Sequence, residues 1–375
     1  MNRPIRVLHF VTGGFSGGAT QVAIKLVRAV MNDAAIESML VLRRKRYTDT
    51  QRIVELKKSG LNVRAVPGWA HLVTIIELWK ICREYRPDIL VAHGFSEHLW
   101  GRYAGLLARV PALVHVEHNS RERYTWWRLT QARWLAKRTS RIVGCSEGVR
   151  QSLLKLGFPA DRTTTIDNGV ELEPFAQADA QPVLQREATI MMVARFSQQK
   201  DHVTLIRAMA ELRKRGLTPQ LKLAGGGKAR HRKLAQNAVK ELKLESQVEF
   251  LGLVRDVPAQ LMRSRIAILS SRYEGMPLAL IEGMAAGCVV IGTRVPGIQE
   301  IIDHRVNGLL TEPNDTVSLA DALECALRND DLADQMARTA RQQAVTKYGL
   351  ERMNADYAKL FHTLKLETGN APAAR

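Results

Sequence analysis

Two glutamates, Glu274 and Glu282, stand seven residues apart in the stretch Ser271-Arg272-Tyr273-Glu274-Gly275-Met276-Pro277-Leu278-Ala279-Leu280-Ile281-Glu282-Gly283-Met284-Ala285-Ala286-Gly287. Carboxylates at that separation can accept hydrogen bonds from two hydroxyl-bearing parts of one ligand. Between them the chain turns at Gly275 and opens a helix, with Pro277 expected at its first position. Backbone N–H groups from Gly275 through Met276 to Leu278, with the positive end of the helix dipole, suit an anion such as a phosphate. The helix is apolar nearly all round, so burial is expected, and a buried Glu282 would need donors from protein or ligand. Sugar hydroxyls flanking a phosphate are the chemistry this pattern fits.

Arg195 and Lys200 follow the strand-like Ile190–Val193. Breaking a sugar–diphosphate bond leaves negative charge on the departing phosphate. No two aspartates in the chain are two residues apart, so the paired-aspartate motif of metal-dependent transferases is missing. Two fixed cations can do the same electrostatic work, which predicts a metal-independent reaction with no cofactor. His118 leaves the run Leu113-Val114-His115-Val116-Glu117-His118 at its carboxyl end, where open α/β sheets bind ligands. Alternation puts His115 and Glu117 together on one face, and His115 is expected to be structural. Gly13-Gly14-Phe15-Ser16-Gly17-Gly18 follows the first strand, and Gly225-Gly226-Gly227 follows Gln220–Ala224. Both let backbone approach a ligand or simply turn tightly, and the first does not fit GxGxxG. Val254 and Arg255 are similarly placed after a strand.

Taken together, these elements resemble the retaining glycosyltransferases of family 4, bacterial enzymes of cell-surface polysaccharide and lipopolysaccharide type with the GT-B fold. Glu274 and Glu282 resemble its E-x7-E motif, Arg195 and Lys200 its R-x4-K clamp, Asn168-Gly169-Val170 its NGV segment, and Gly13–Gly18 its first loop, all in the family's order. Glu171 stands where Asp is commoner and Val289 where Pro is frequent. The resemblance implies a nucleotide-sugar donor, UDP- or GDP-linked, with Arg195 and Lys200 on the diphosphate, Glu282 on the ribose and Glu274 on the sugar. Gly17, Gly18, Gly225, Gly226, Val254, Gly275, Met276, Pro277 and Leu278 would complete the donor site, with His118 against the sugar near the bond that breaks. It also implies transfer to a glycan hydroxyl, such as that of a lipid-linked acceptor, with retention of configuration. A nucleotide-sugar epimerase of the same architecture is the enzymatic alternative, and a basic nucleic-acid- or membrane-binding protein the non-enzymatic one.

Strand and helix patterns alternate along the whole chain, which predicts an α/β protein with two doubly wound, Rossmann-like domains facing a cleft. The acceptor-binding domain is expected over residues 1–175 and the donor-binding domain over 188–347. A polar linker, Ala176–Glu187, would join them. A helix over residues 348–366 would cross back to the first domain, as the resemblance implies, and 367–375 reads as a disordered tail. Four scattered cysteines without CxxC spacing point to a reducing cytoplasm and away from zinc, and neither a leader nor a spanning segment is expected.

The net charge is +18, and it is uneven. Lysines and arginines number 27 against 15 acids through residue 175, and 28 against 22 thereafter. Such a field attracts anionic surfaces. The run Arg43–Arg46 and the stretch Arg121–Arg138, with Arg123, Trp126, Trp127 and Trp134, could seat on an acidic membrane. Tyr124, Trp127, Trp134 and Leu135 fall on one helical stripe, so packing of these aromatics on the sheet is the competing reading. No nucleic-acid fold signature accompanies the aromatics. The expected location is therefore cytoplasmic, peripheral on the inner membrane face.

Overall fold

The computed structural model describes residues 3–369 apart from 16, 47, 95, 96, 122 and 123. Ser16, Arg123 and the tail from residue 370 lie outside the described residues. Contacts divide the chain into two compact units, Met1–Asn168 with Met353–Arg375, and Gly169–Arg352.

The first unit alternates β1 (Ile5–Thr12), α1 (Gly18–Ala29), β2 (Ile36–Arg43), α2 (Thr50–Lys58), β3 (Val63–Val66) and α3 (His71–Tyr85). It continues with β4 (Ile89–His93), α4 (Glu97–Leu107), β5 (Ala112–Glu117), α5 (Trp126–Ala136), β6 (Arg141–Gly144), α6 (Glu147–Lys155) and β7 (Thr163–Thr165). Every pairing is parallel, in the order β3-β2-β1-β4-β5-β6-β7. Helices cover both faces, so the strands read as continuous apolar runs. On one face Leu8, Phe10, Leu90 and Leu113 pack with Leu78 and Cys82 of α3 and Ala104 of α4. On the other, Val11 and Leu40 pack with Ala23 and Val27 of α1.

The second unit runs β8 (Glu187–Val193), α7 (His202–Lys214), β9 (Gln220–Ala224), α8 (Ala229–Glu241), β10 (Val248–Gly252), α9 (Val257–Arg263) and β11 (Ser264–Leu269). Then come α10 (Leu278–Ala285), β12 (Val289–Thr293), α11 (Pro296–Gln299), β13 (Leu309–Thr311), α12 (Thr316–Arg328), α13 (Asp330–Lys347) and α14 (Leu350–Gly369). From Met353 on, α14 belongs to the first unit. The second sheet is also parallel, in the order β10-β9-β8-β11-β12-β13. Its core contains Ile190, Met192, Leu221, Leu223, Ile266, Ile268, Leu280, Ile281 and Met284, all nearly inaccessible.

Both sheets thus have the doubly wound order, with a reversal of winding between β1 and β4 in one and between β8 and β11 in the other. Ligands bind at the carboxyl ends of the strands at such switch points.

The structure corrects several expectations. Ala176–Glu187 is not a free linker: it forms 3-10 turns at Ala178–Ala180 and Val183–Gln185, and Ala178 and Val183 are buried. Arg186 anchors it, donating to the carbonyls of Ala178, Gln181 and Ser264. Polar composition hid this, because the burial is of a few small side chains and one guanidinium. Leu309–Thr311 adds a strand too short for a pattern to reveal. Residues 367–369 are helical rather than part of a loose tail, and Glu367 pairs with Arg141 at 2.6 Å.

Asn168-Gly169-Val170 lies where the chain passes from the first unit to the second. The Val170 amide donates to Tyr348 O and the Leu350 amide to Val170 O. A Cβ on Gly169 would stand 2.7 Å from Gly349 O, so this backbone contact requires glycine.

Candidate active site

In the second unit, the loops after β8 and β11 meet at the switch point. The loop after β8 carries Arg195 and Lys200. The Arg272 amide donates to Gln199 O at 2.8 Å, and Ser270 Oγ donates to the carbonyls of Lys200 and Asp201 at 3.1 Å. Asp201 adopts φ 45°, a left-handed conformation uncommon for a residue with a side chain. It is held there because its carboxylate accepts from Thr204 Oγ1 at 2.9 Å and Arg272 Nε at 3.0 Å.

The result of this pinning is an ion pair. Lys200 Nζ lies 2.5 Å from Glu274 Oε1, with side-chain exposures of only 14% and 7%. Gln199 Nε2 supports it, 2.9 Å from Tyr273 O and 3.5 Å from the other Glu274 oxygen. The sequence placed these two charges on different parts of a ligand, and the structure brings them together. Each neutralises a charge that would otherwise be costly at that burial. Arg195 remains exposed.

The glycine turn after β9 explains where Arg195 sits. Phe196 N donates to Gly226 O at 2.7 Å and Lys228 N to Phe196 O at 3.1 Å. Gly225 and Gly227 have φ of 146° and 133°, and a Cβ on either would run into the backbone of residues 194–196. Their smallness therefore shapes the loop bearing Arg195. Gly226 lies beside it, with a Cβ there 3.3 Å from Leu253, and the neighbouring Val254 is half-buried.

Pro277 is the N-cap of α10 rather than its first helical residue, and it offers neither a side-chain acceptor nor an N–H. Gly275, Met276 and Pro277 are buried. The apolar helix is not buried all round either. Leu278, Ala279 and Glu282 are only half-covered, while Leu280, Ile281 and Met284 fill the core. Positions 278 and 282 are one turn apart, so Glu282 shares an accessible face with the helix start. Sequence reasoning missed Gly297, where a Cβ would strike Gly275 O; this glycine lets α11 press against the Glu274–Gly275 backbone. The GxxxG-free setting of Gly297 gave no signal.

In the first unit, Gly13 donates to Arg43 O at 2.8 Å, and a Cβ there would meet Thr48 Oγ1 at 2.7 Å, so its role is packing. Gly17 caps α1 without a side chain, and nothing lies within 4 Å of a Cβ placed on Gly18. Arg43 does not join an exposed basic run. It is buried, reaching Glu97 at 3.5 Å, His71 at 2.9 Å and Gly68 O at 3.2 Å, so only Arg44, Lys45 and Arg46 face solvent.

His118 is half-buried at the end of β5 and belongs to a chain of rings. His118 Nε2 lies 3.2 Å from His93 Nδ1, and His93 Nε2 lies 3.1 Å from His9 Nδ1. The rings are near-parallel, with centroids about 5.5 Å apart. Parallel register produces this staircase. His9 pairs with Val91, two residues before His93, and His93 pairs with Val116, two before His118. A two-residue step keeps all three on one face. Burial lowers the pKa of His9 to about 3 and of His118 to about 4, and it holds His93 well below the usual value.

His115 and Glu117 point to the opposite face, as alternation requires, and His115 stacks on His98 at 4.1 Å. His98, His115 and Glu117 come close enough to hold a metal ion. His98 Nδ1, however, lies 2.5 Å from Arg102 Nη2, and Tyr124 Oη 2.9 Å from Nε2. Both His98 nitrogens are engaged, and a buried guanidinium opposes a cation there.

The aromatics of α5 do not form one buried stripe. Leu135 is inaccessible, while Trp126, Trp127 and Trp134 are 78%, 64% and 46% exposed. Tyr124 precedes the helix. Arg121 is exposed, and Arg138 lies over the Trp134 ring at 3.8 Å.

Two parallel doubly wound sheets, with loops gathered at both switch points, define the GT-B class of architecture. Residues 16–174 match the model of Glycosyltransferase Family 4 and residues 176–343 that of Glycosyl transferases group 1. The chain belongs to these glycosyltransferases and is an enzyme of that class. It is 26% identical over 294 residues to an Escherichia coli UDP-Gal:alpha-D-GlcNAc-diphosphoundecaprenol alpha-1,3-galactosyltransferase, covering 74% of this chain and 76% of that protein. It is 25% identical over 338 residues to the putative colanic acid biosynthesis glycosyltransferase WcaL of Escherichia coli, covering 84% and 79%. Among solved structures, Anabaena Alr3699/HepE in complex with UDP and glucose has the same fold, with TM-score 0.83 and 20% identity over 96% of this chain and all of that one.

Proposed function

We propose that this glycosyltransferase takes a sugar from a nucleoside diphosphate and transfers it, with retention, to a hydroxyl of a lipid-linked glycan in bacterial surface-polysaccharide synthesis. The observation that carries the donor half is the junction of the loops after β8 and β11. There an exposed Arg195, the Lys200–Glu274 pair and the start of α10 gather at one switch point. A diphosphate entering this junction would take up Lys200, and Glu274, released from it, would accept from sugar hydroxyls. Glu282, one turn into α10, would receive the ribose. Arg195 and Lys200 stabilise the departing diphosphate without a metal, and that phosphate helps to take the acceptor proton. His118 serves the sugar as a neutral imidazole. The galactosyltransferase relative, named for a UDP-linked donor and a diphosphoundecaprenol-linked acceptor, supports both halves of the reading.

The experiment is a thermal-shift screen of UDP- and GDP-sugars followed by transfer assays with undecaprenyl-diphosphate-linked acceptors. Stabilisation by one nucleotide sugar, lost in Arg195→Ala, supports the donor site. Conversion of that sugar without any acceptor would indicate the epimerase instead.

The enzyme would work at the inner membrane face. No described helix is long and apolar enough to cross a membrane. A surface seat is supported by the exposed tryptophans of α5 beside Arg121 and Arg138. Helix α3 packs on α4 and α4 on α5, and α3 and its approach add exposed Trp69, Leu72 and Ile76. Lone exposed apolar residues are ordinary, but a group of this size beside arginines fits an acidic bilayer.

A further inference from the structure

We propose that His93 is a positioning residue for His118, and that His9, His93 and His118 form one unit whose protons shift only together. The inference rests on the reading that His118 faces the sugar. Each of the two ring-to-ring hydrogen bonds holds one proton. A neutral imidazole has one N–H and one bare nitrogen. If His93 donates from Nδ1, His118 Nε2 must be bare, and His118 carries its proton on Nδ1. His93 Nε2 then accepts from His9 Nδ1. All three rings are in the Nδ1–H form. If His93 instead donates from Nε2, all three are in the Nε2–H form. Mixed arrangements leave a bond with two protons or none.

The two free ends have no hydrogen-bond partner among the described residues. They are His118 Nδ1 and His9 Nε2, both shielded from solvent. His9 also meets the edge-to-face ring of Phe361 on α14, at 5.9 Å between centroids. The His9 end therefore sets which nitrogen of His118 carries the proton, and with it the polarity of the ring. Either way the ring is uncharged, because burial keeps all three below their usual pKa. A neutral ring suits a sugar, whereas a phosphate would favour an imidazolium.

The test is selective 15N labelling of histidine and assignment of ring nitrogens by NMR in the wild-type enzyme between pH 6 and 8. All three rings are expected in the same tautomer, unchanged over that range. Different tautomers among them, or a charged ring, would overturn the proposal even if no variant folds. In His93→Phe, which keeps a ring but no nitrogen, the His118 signal is expected to shift to a tautomer mixture. The kcat would fall by roughly two- to tenfold, because only part of the population stays competent. Binding of UDP or GDP, read by calorimetry, should not change. An unaltered His118 signal in a folded His93→Phe enzyme would assign His93 to packing alone. If neither nucleotide binds the wild type, the donor-site reading fails, while the ring spectra still decide the coupling.

Discussion

Removing the ammonium of Lys200 tests how the second unit balances stability against catalysis. Lys200→Met keeps the stem and leaves Glu274, 7% exposed, without the cation 2.5 Å away. Breaking a buried ion pair from one side costs about 3–5 kcal/mol. Gln199 Nε2, at 3.5 Å, relieves little of this. The loss expected is therefore ~3 kcal/mol. Glu274→Gln preserves shape and leaves the more exposed lysine free to reorient, so ~1 kcal/mol is expected. The double variant buries no charge and should lose clearly less than the two singles together, giving a coupling of about 2 kcal/mol. All six tryptophans lie in the first unit, so their fluorescence follows that unit during urea unfolding. Circular dichroism follows both, and the difference isolates the second unit. Turnover should fall at least ~100-fold in Lys200→Met and in the double variant, because removing one electrostatic donor costs that much. Stability rescued without activity is the signature of a pair that works for the ligand. Additive losses, or Lys200→Met turning over near the wild-type rate, would refute the argument.

Other outcomes follow from the same structure. If Arg195 and Lys200 supply the positive charge, as proposed, activity should persist in EDTA; abolition by chelation and recovery with Mg2+ would show that a metal is needed. Liposome co-sedimentation should favour acidic over neutral vesicles and weaken with salt, at ~1 kcal/mol per basic residue near the surface. Trp127→Ala/Trp134→Ala should reduce the salt-resistant part, and unchanged binding would remove the tryptophans from the interface. Acid should destabilise the first unit. The depressed pKa values of His9 and His118 mean that the unfolded chain binds more protons from about pH 6.5 down to about 4 for His118 and about 3 for His9. Stability is then complete above that window and lost as pH falls through it, by roughly 3 kcal/mol for His118 alone. A first-unit tryptophan transition with equal midpoints at pH 7.5 and 4.5 would contradict this.

The alternation of strand and helix was legible residue by residue because parallel strands buried on both faces announce themselves as short apolar runs. Arg195, Lys200 and Glu274 stood out as candidates because they follow strand ends, where such sheets put ligands, and Glu282 because it interrupts the apolar α10. Other features depended on the tertiary structure. That Lys200 and Glu274 form a pair depends on β8 and β11 being neighbours, which no local pattern records. That Arg43 is structural while Arg44 to Arg46 are solvated depends on which way one strand end points. The exposure of Trp126, Trp127 and Trp134 was undecidable from helical periodicity, because the same stripe suits a sheet or a bilayer. The histidine chain is the clearest case. His9, His93 and His118 are far apart in sequence, and each alone looks like an ordinary buried histidine. Only the parallel register, stepping two residues from strand to strand, makes them hydrogen-bonded neighbours.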